Sequence, residues 1–168
     1  MSKTESWGLY PRALEQTYQE HEHRFVHLPA TDKLILPRGL GRSYGDTCLN
    51  DHGLLLGTSR LNHFISLDES NGIIRCESGV SFDQILQLIV SKGWFLPVTP
   101  GTKFVTVAGA IANDVHGKNH HAVGNFGHHV VCFELLRSNG ERLICSRTEN
   151  PEMFFATIGG LGLTGFIT

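Results

Sequence analysis

Arg38-Gly39-Leu40-Gly41-Arg42-Ser43-Tyr44-Gly45-Asp46 follows the apolar run Lys33-Leu34-Ile35-Leu36 and Pro37, so a short strand opens into a glycine loop. The glycines leave successive backbone N–H groups clear of bulky side chains. Arg38, Arg42, Ser43 and Tyr44 add side-chain donors, and such a nest suits a diphosphate. A plain glycine turn between strands is the bland alternative at this point. A nicotinamide-type fingerprint fits poorly, because the third glycine comes one position late and residues 44–47 do not open a helix.

Outward from this loop, the 19 glycines of the 168-residue chain gather in clusters beside apolar runs instead of spreading as a linker. Pro100-Gly101-Thr102 leads into Val105-Thr106-Val107-Ala108-Gly109-Ala110-Ile111-Ala112-Asn113-Asp114, small residues that predict a short helix lying against a backbone or a ligand. A ligand with a diphosphate and a flat ring needs two close-approach walls, and these two stretches supply them. A tightly packed small-residue helix with no ligand is the alternative.

The remaining pattern is mixed. Residues 13–22 have helix-forming composition; residues 53–56, 64–67 and 72–77 read as strands, with Asn71-Gly72 as a tight turn. Ser81 caps a helix whose apolar residues Phe82, Ile85, Leu86, Ile89 and Val90 recur at helical spacing until Gly93. Residues 130–136 and 142–145 read as a hairpin turned by Asn139-Gly140. A last helix begins at Asn150-Pro151-Glu152 and breaks at Gly159-Gly160 before the strand-like Phe166-Ile167, where the chain stops in mid-pattern. A truncated second lobe is the expectation.

A net charge of -2 and a pI near 6.5 give no electrostatic footprint for nucleic acid. The polar N-terminus lacks a secretory signal, and no segment is apolar and long enough to span a bilayer, so a cytoplasmic protein is expected. Cys48, Cys76, Cys132 and Cys145 form no C-x-x-C pair and read as free buried thiols. His116, His120, His121, His128 and His129 crowd one region. The i, i+4 spacing of His116 and His120 fits a metal only on a helix, which Gly117 and Asn119 oppose, and no acid or cysteine completes a ligand set, so no metal site is expected.

Taken together, residues 38–46, residues 100–121 and Gly159-Gly160-Leu161-Gly162-Leu163-Thr164-Gly165 resemble the FAD-binding, PCMH-type domain of the vanillyl-alcohol oxidase and p-cresol methylhydroxylase superfamily, with the decaprenylphosphoryl-ribose oxidase branch nearest. The resemblance implies an α+β fold of two subdomains, residues 1–98 and 99–168, with a separate substrate domain absent. It implies that Pro37, Arg38, Gly39, Leu40, Gly41, Arg42, Ser43, Tyr44, Gly45, Asp46 and Thr47 wrap the FAD diphosphate. Gly101, Thr102, Thr106, Val107, Ala108 and Gly109 form the opposite wall; Asn113, His116 and Gly117 approach the flavin, and Ile167 the adenine side. His116 and Lys118 are the catalytic candidates, facing the substrate.

The implied activity is oxidation of a CH–OH group in a sugar, alditol or polyprenyl-phosphate sugar, with a non-catalytic nucleotide- or diphosphate-binding module as the alternative. Relatives that attach FAD covalently through the first loop carry histidine where this chain has Arg42, so non-covalent FAD is expected. Ala108 stands where glycine is common, adding a methyl near the cofactor.

Overall fold

The computed structural model describes residues 5–25 and 27–168; the polar stretch 1–4 that bears on the signal reading lies outside them, as does Val26. The fold mixes helices and sheets. Three strands, β1 (Thr17–Glu20), β2 (Ile35–Arg38) and β3 (Leu54–Gly57), form an all-parallel sheet in the order β1-β3-β2. The central strand β3 is buried along its whole length, as its unbroken Leu54-Leu55-Leu56 run demands. Because β2 runs through Pro37 to Arg38, the first glycine loop leaves directly from a sheet edge.

The helix expected over residues 13–22 is overturned, since β1 occupies its middle. Thr17 and Tyr18 suit a strand, and β1 gains a partner far away in sequence: Thr17 N donates to Gly53 O and His21 N to Gly57 O, both at 2.9 Å. A ladder to a buried strand outweighs the local helical preference of Glu15, Gln16 and Gln19.

Strands β4 (Phe64–Asp68) and β5 (Ile73–Cys76) form an antiparallel hairpin turned at Gly72, whose φ of 66° explains the glycine. Helix α1 (Phe82–Ile89) begins in a capping box: Gln84 N donates to Ser81 Oγ at 3.2 Å, and Ser81 N to Gln84 Oε1 at 2.9 Å. Phe82, Ile85 and Ile89 are buried, whereas Val90 has turned out to solvent in the 3-10 turn that ends at Gly93.

Helix α2 (Val107–Ala112) is capped by Thr106, which accepts from Gly109 N at 3.1 Å. Short helix α3 (His120–Val123) follows, so His120 and His121 are helical while His116 stays outside. The hairpin of β6 (Cys132–Leu136) and β7 (Arg142–Ser146) forms as expected, and β8 (Phe166–Ile167) joins β6 on the other side. Helix α4 (Pro151–Thr157) lies before β8 with Pro151 in its first turn.

Two apolar clusters form the core: Phe82, Ile85 and Ile89 pack with Ala110 and Ile111 of α2, Phe133 and Leu135 of β6, Phe154 of α4 and Ile167, while Leu56 of β3 packs with Leu61, Leu136 and Phe166. Both ends of α2 are thereby fixed, which matters for the site.

No disulfide joins the cysteines. Cys48 and Cys145 are buried and Cys76 partly so, but Cys132 is exposed, which corrects the reading of four buried thiols. Its position at the edge of the β6 pleat turns it to solvent. No helix among the described residues is long and apolar enough to cross a membrane.

Candidate functional site

Two glycine-rich stretches, 70 positions apart where Ser43 meets Asn113, face each other across one cleft of about 550 Å³. That volume lies within the ~300–1,000 Å³ usual for small-molecule and cofactor sites. Ser43 Oγ donates to Asn113 Oδ1 at 3.5 Å, and a Cβ added to Gly39 would fall within 3.0 Å of Thr106 Oγ1. Glycine at 39 is therefore what lets the first loop rest against the cap of α2.

Of the residues expected at a cofactor, the cleft is lined by Pro37, Arg38, Gly39, Leu40, Gly41, Arg42, Ser43, Tyr44 and Thr47 on one side. Gly101, Thr102, Thr106, Ala108, Gly109, Asn113 and His116 face them, and Ile167 lies at one end. Five expected residues are not in the lining: Gly45, Asp46, Val107, Gly117 and Lys118. Val107 is carried by α2, where its neighbour Ala108 takes the cleft side. Gly117 is buried, and a Cβ there would lie 2.9 Å from Thr99 O, so it is a packing glycine. Lys118 is exposed beside it.

The structure also brings in residues that local reading passed over. Trp7 lines the cleft with the Arg42 guanidinium 4.9 Å from its ring centroid. Thr157, Leu161, Gly162 and Gly165 build a third wall. Gly159 N donates to Ile111 O at 3.0 Å and Leu161 N to Ala112 O at 2.8 Å, so this loop is tied to the end of α2. The signal for it was the repeated glycine of residues 159–165, which entered the resemblance as a motif and was otherwise read as a helix break, with none of its residues named at the cofactor. Cys48, Thr58, Pro100, Val105, Ala112 and Val115 complete the lining.

Asp114 shapes the turn that carries His116 into the cleft. Its backbone is left-handed, φ 41°, and its carboxylate accepts from Gly127 N at 2.9 Å and Asn125 Nδ2 at 3.1 Å. Asn113 Nδ2 donates to Gly109 O at 2.8 Å, closing the same turn from the other side. The His116 ring stands 5.7 Å from that of His120, which in turn stands 6.0 Å from His121, a row running from the cleft outward. Among the described residues no three His, Cys, Asp or Glu side chains converge so as to hold a metal ion.

This cleft meets the demands of a dinucleotide with a flat ring. Glycine backbone lines both long walls, Gly101 has open space where a Cβ would stand, and Gly41 takes a φ of 64° that few other residues adopt. Hydroxyl donors come from Ser43, Tyr44, Thr47, Thr102 and Thr106, and apolar surface from Leu40, Val105, Ala108 and Ile167. The residues fit FAD.

Comparison with known proteins gives the class: the chain matches the FAD binding domain over residues 21–146 and belongs to that family. Among individual relatives, it is 46% identical over 134 residues to decaprenylphosphoryl-beta-D-ribose oxidase of Mycolicibacterium smegmatis, covering 79% of this chain and 29% of that protein. It is 32% identical over 107 residues to the human Delta(24)-sterol reductase, covering 64% and 21%. With a putative D-arabinono-1,4-lactone oxidase of Neurospora crassa it shares 30% identity over 135 residues, covering 80% and 24%. The chain spans less than a third of the length of each.

Proposed function

We propose that this chain is the cofactor-binding part of an FAD-dependent oxidoreductase that oxidises a CH–OH group of a sugar, alditol or polyprenyl-phosphate sugar. The observation that carries the reading is the closure of two distant glycine-rich walls on one cleft, with Gly39 seated against Thr106. The substrate class rests on the names of two relatives, a decaprenylphosphoryl-ribose oxidase and an arabinono-lactone oxidase. The sterol reductase keeps a reducing reaction on a lipid as the outcome to be tested against.

FAD held in this cleft would supply the electron chemistry, as the acceptor for a hydride from the substrate carbon. The chain's own residues bind and orient it: the loop from Gly39 to Thr47 offers backbone N–H groups to the diphosphate, and Thr102, Thr106 and Gly109 form the facing wall. On this reading Asn113 and His116 would lie at the flavin end, where the His116 imidazole would exchange a proton with the substrate hydroxyl, with His120 behind it. Lys118 is outside the lining and exposed, so its ammonium serves a substrate group held between this chain and the rest of the protein.

We further read the fold as two subdomains, residues 1–98 and 99–168, with the cofactor extended along their boundary. The two walls come one from each side of it. Attachment is non-covalent, because Arg42 stands where an imidazole–flavin bond would form, and a guanidinium makes no such bond. Four free thiols fit a cytoplasmic setting.

The test is reconstitution: FAD added to the purified chain gives a protein absorbing near ~450 nm, and acid precipitation leaves the flavin in solution. Flavin in the pellet contradicts non-covalent attachment. A nucleotide-binding module without redox chemistry would hold ADP as tightly as FAD, so that equimolar ADP would displace about half of the flavin and its colour. In the full-length protein, K118A lowers turnover by about tenfold or more with FAD content unchanged; unchanged turnover removes Lys118 from the mechanism.

A further inference from the structure

Trp7 lies before residues 21–146, the span of the family match, yet it lines the cleft. The segment that brings it there is fastened on both sides of the indole. Arg38 Nη2 donates to Glu5 O, Ser6 is fully buried, and Leu9 N donates to Ser6 O at 3.1 Å, which turns the chain back just past Trp7. Further on, β1 is locked beside β3 by its parallel ladder. Residues 5–9 therefore form a strap laid against the first glycine loop, and Trp7 sits at a set place in it instead of hanging from a loose end.

The two tryptophans of the chain are used differently. Trp94 is a packing residue: its Nε1 donates to Glu69 O at 3.1 Å, and its ring fills the space that a Cβ at Gly72 would need. Trp7 has the Arg42 guanidinium over its ring, 4.9 Å from the centroid, and is still 51% exposed where it lines the cleft. A large aromatic surface left open there suits a flat ligand ring, because an indole stacks on any π-face without needing a particular hydrogen-bond pattern. Its place selects the ring. Arg42 is followed by Ser43, whose hydroxyl meets Asn113 at 3.5 Å, so Trp7 belongs to the Asn113 and His116 end of the cleft.

We propose that Trp7 is a stacking residue for the isoalloxazine ring of the bound cofactor, carried to the cleft by the N-terminal strap. The inference rests on the reading of the cleft as an FAD site, and adds to it a wall from outside the matched domain. Stacking needs an aromatic face more than the indole nitrogen, so phenylalanine serves in its place and leucine does not.

The experiment compares W7F, W7L and W7A by equilibrium titration of the apo chain with FAD and with ADP, with melting curves for each variant. W7F holds FAD within about threefold of the unsubstituted chain, whereas W7L and W7A weaken it by about tenfold. ADP, which has no isoalloxazine, binds alike in all of them. Equal FAD affinity in W7F and W7L, whether kept or lost, overturns the proposal. So does a W7L that loses ADP and FAD equally, since the strap would then only shape the cleft. Should W7A fail to fold, the comparison of W7L with W7F decides alone. An unsubstituted chain that takes up no FAD would instead sink the reading of the cleft, and this inference with it.

Discussion

At the residue scale, the site depends on absences of side chain as much as on donors. Replacing Gly39 with alanine places a methyl within 3.0 Å of Thr106 Oγ1, where the first loop rests against the cap of α2. We expect G39A to destabilise the protein by about 1–3 kcal/mol, as overpacking does, and to weaken FAD at least tenfold in the same titration. T106A removes the obstacle, so G39A costs less stability in a T106A background than in the unsubstituted chain; an equal cost in both would mean the walls are not in contact. Individual residues were legible when their chemistry was local. Gly41 lies in the cleft lining as its loop suggested, whereas Gly117 and Lys118 lie outside it: both follow His116 in sequence, and sequence adjacency carries no direction. Thiol reactivity follows burial in the same way. Cys132 is exposed, while burial pushes the Cys76 thiol up to about 11 and also raises Cys145. A thiol-reactive dye at neutral pH modifies Cys132 first, and alkylation mapped to Cys76 in the native protein would contradict the packing described.

At the scale of elements, α1 was legible because its cap, its apolar spacing and its terminal Gly93 agree, and its stability is set by the same features. S81A removes the acceptor for Gln84 N and costs about 1 kcal/mol by chemical denaturation. Strand β1 was illegible: residues 13–22 look helical, and the partner that makes them a strand is β3, which no local window contains. The third wall was hidden for a similar reason. Its glycines stand after α4, and only the hydrogen bonds from Gly159 and Leu161 to the end of α2 carry them to the cleft.

At the scale of the whole molecule, the N-terminal segment is pinned against the last strand, and pH tests that docking. His21 is 2% exposed, its ring is 4.8 Å from that of Phe166, and its Nε2 has no hydrogen-bond partner among the described residues. Burial, with the nearby charges of Arg142 and His23 and against the opposing pull of Glu22, holds its pKa below the ordinary 6.5. The unfolded chain therefore binds the proton first as pH falls, so the contribution of neutral His21 is full above about pH 6.5 and is lost as pH drops through the folded-state value. The melting temperature should fall between about pH 7.5 and about pH 5.5, and H21L should flatten that part of the profile. A profile identical in H21L would mean that His21 does not report on the docking. Because Phe166 is followed by Ile167 in the cleft lining, FAD retention should weaken over the same interval.

Hydrogen exchange on the apo and FAD-loaded chain tests most directly whether the two glycine-rich walls hold one ligand. The amides of residues 39–47 and those of residues 101–113 should slow together, saturating at one FAD per chain. Protection confined to one of the two segments at full FAD occupancy would contradict the account.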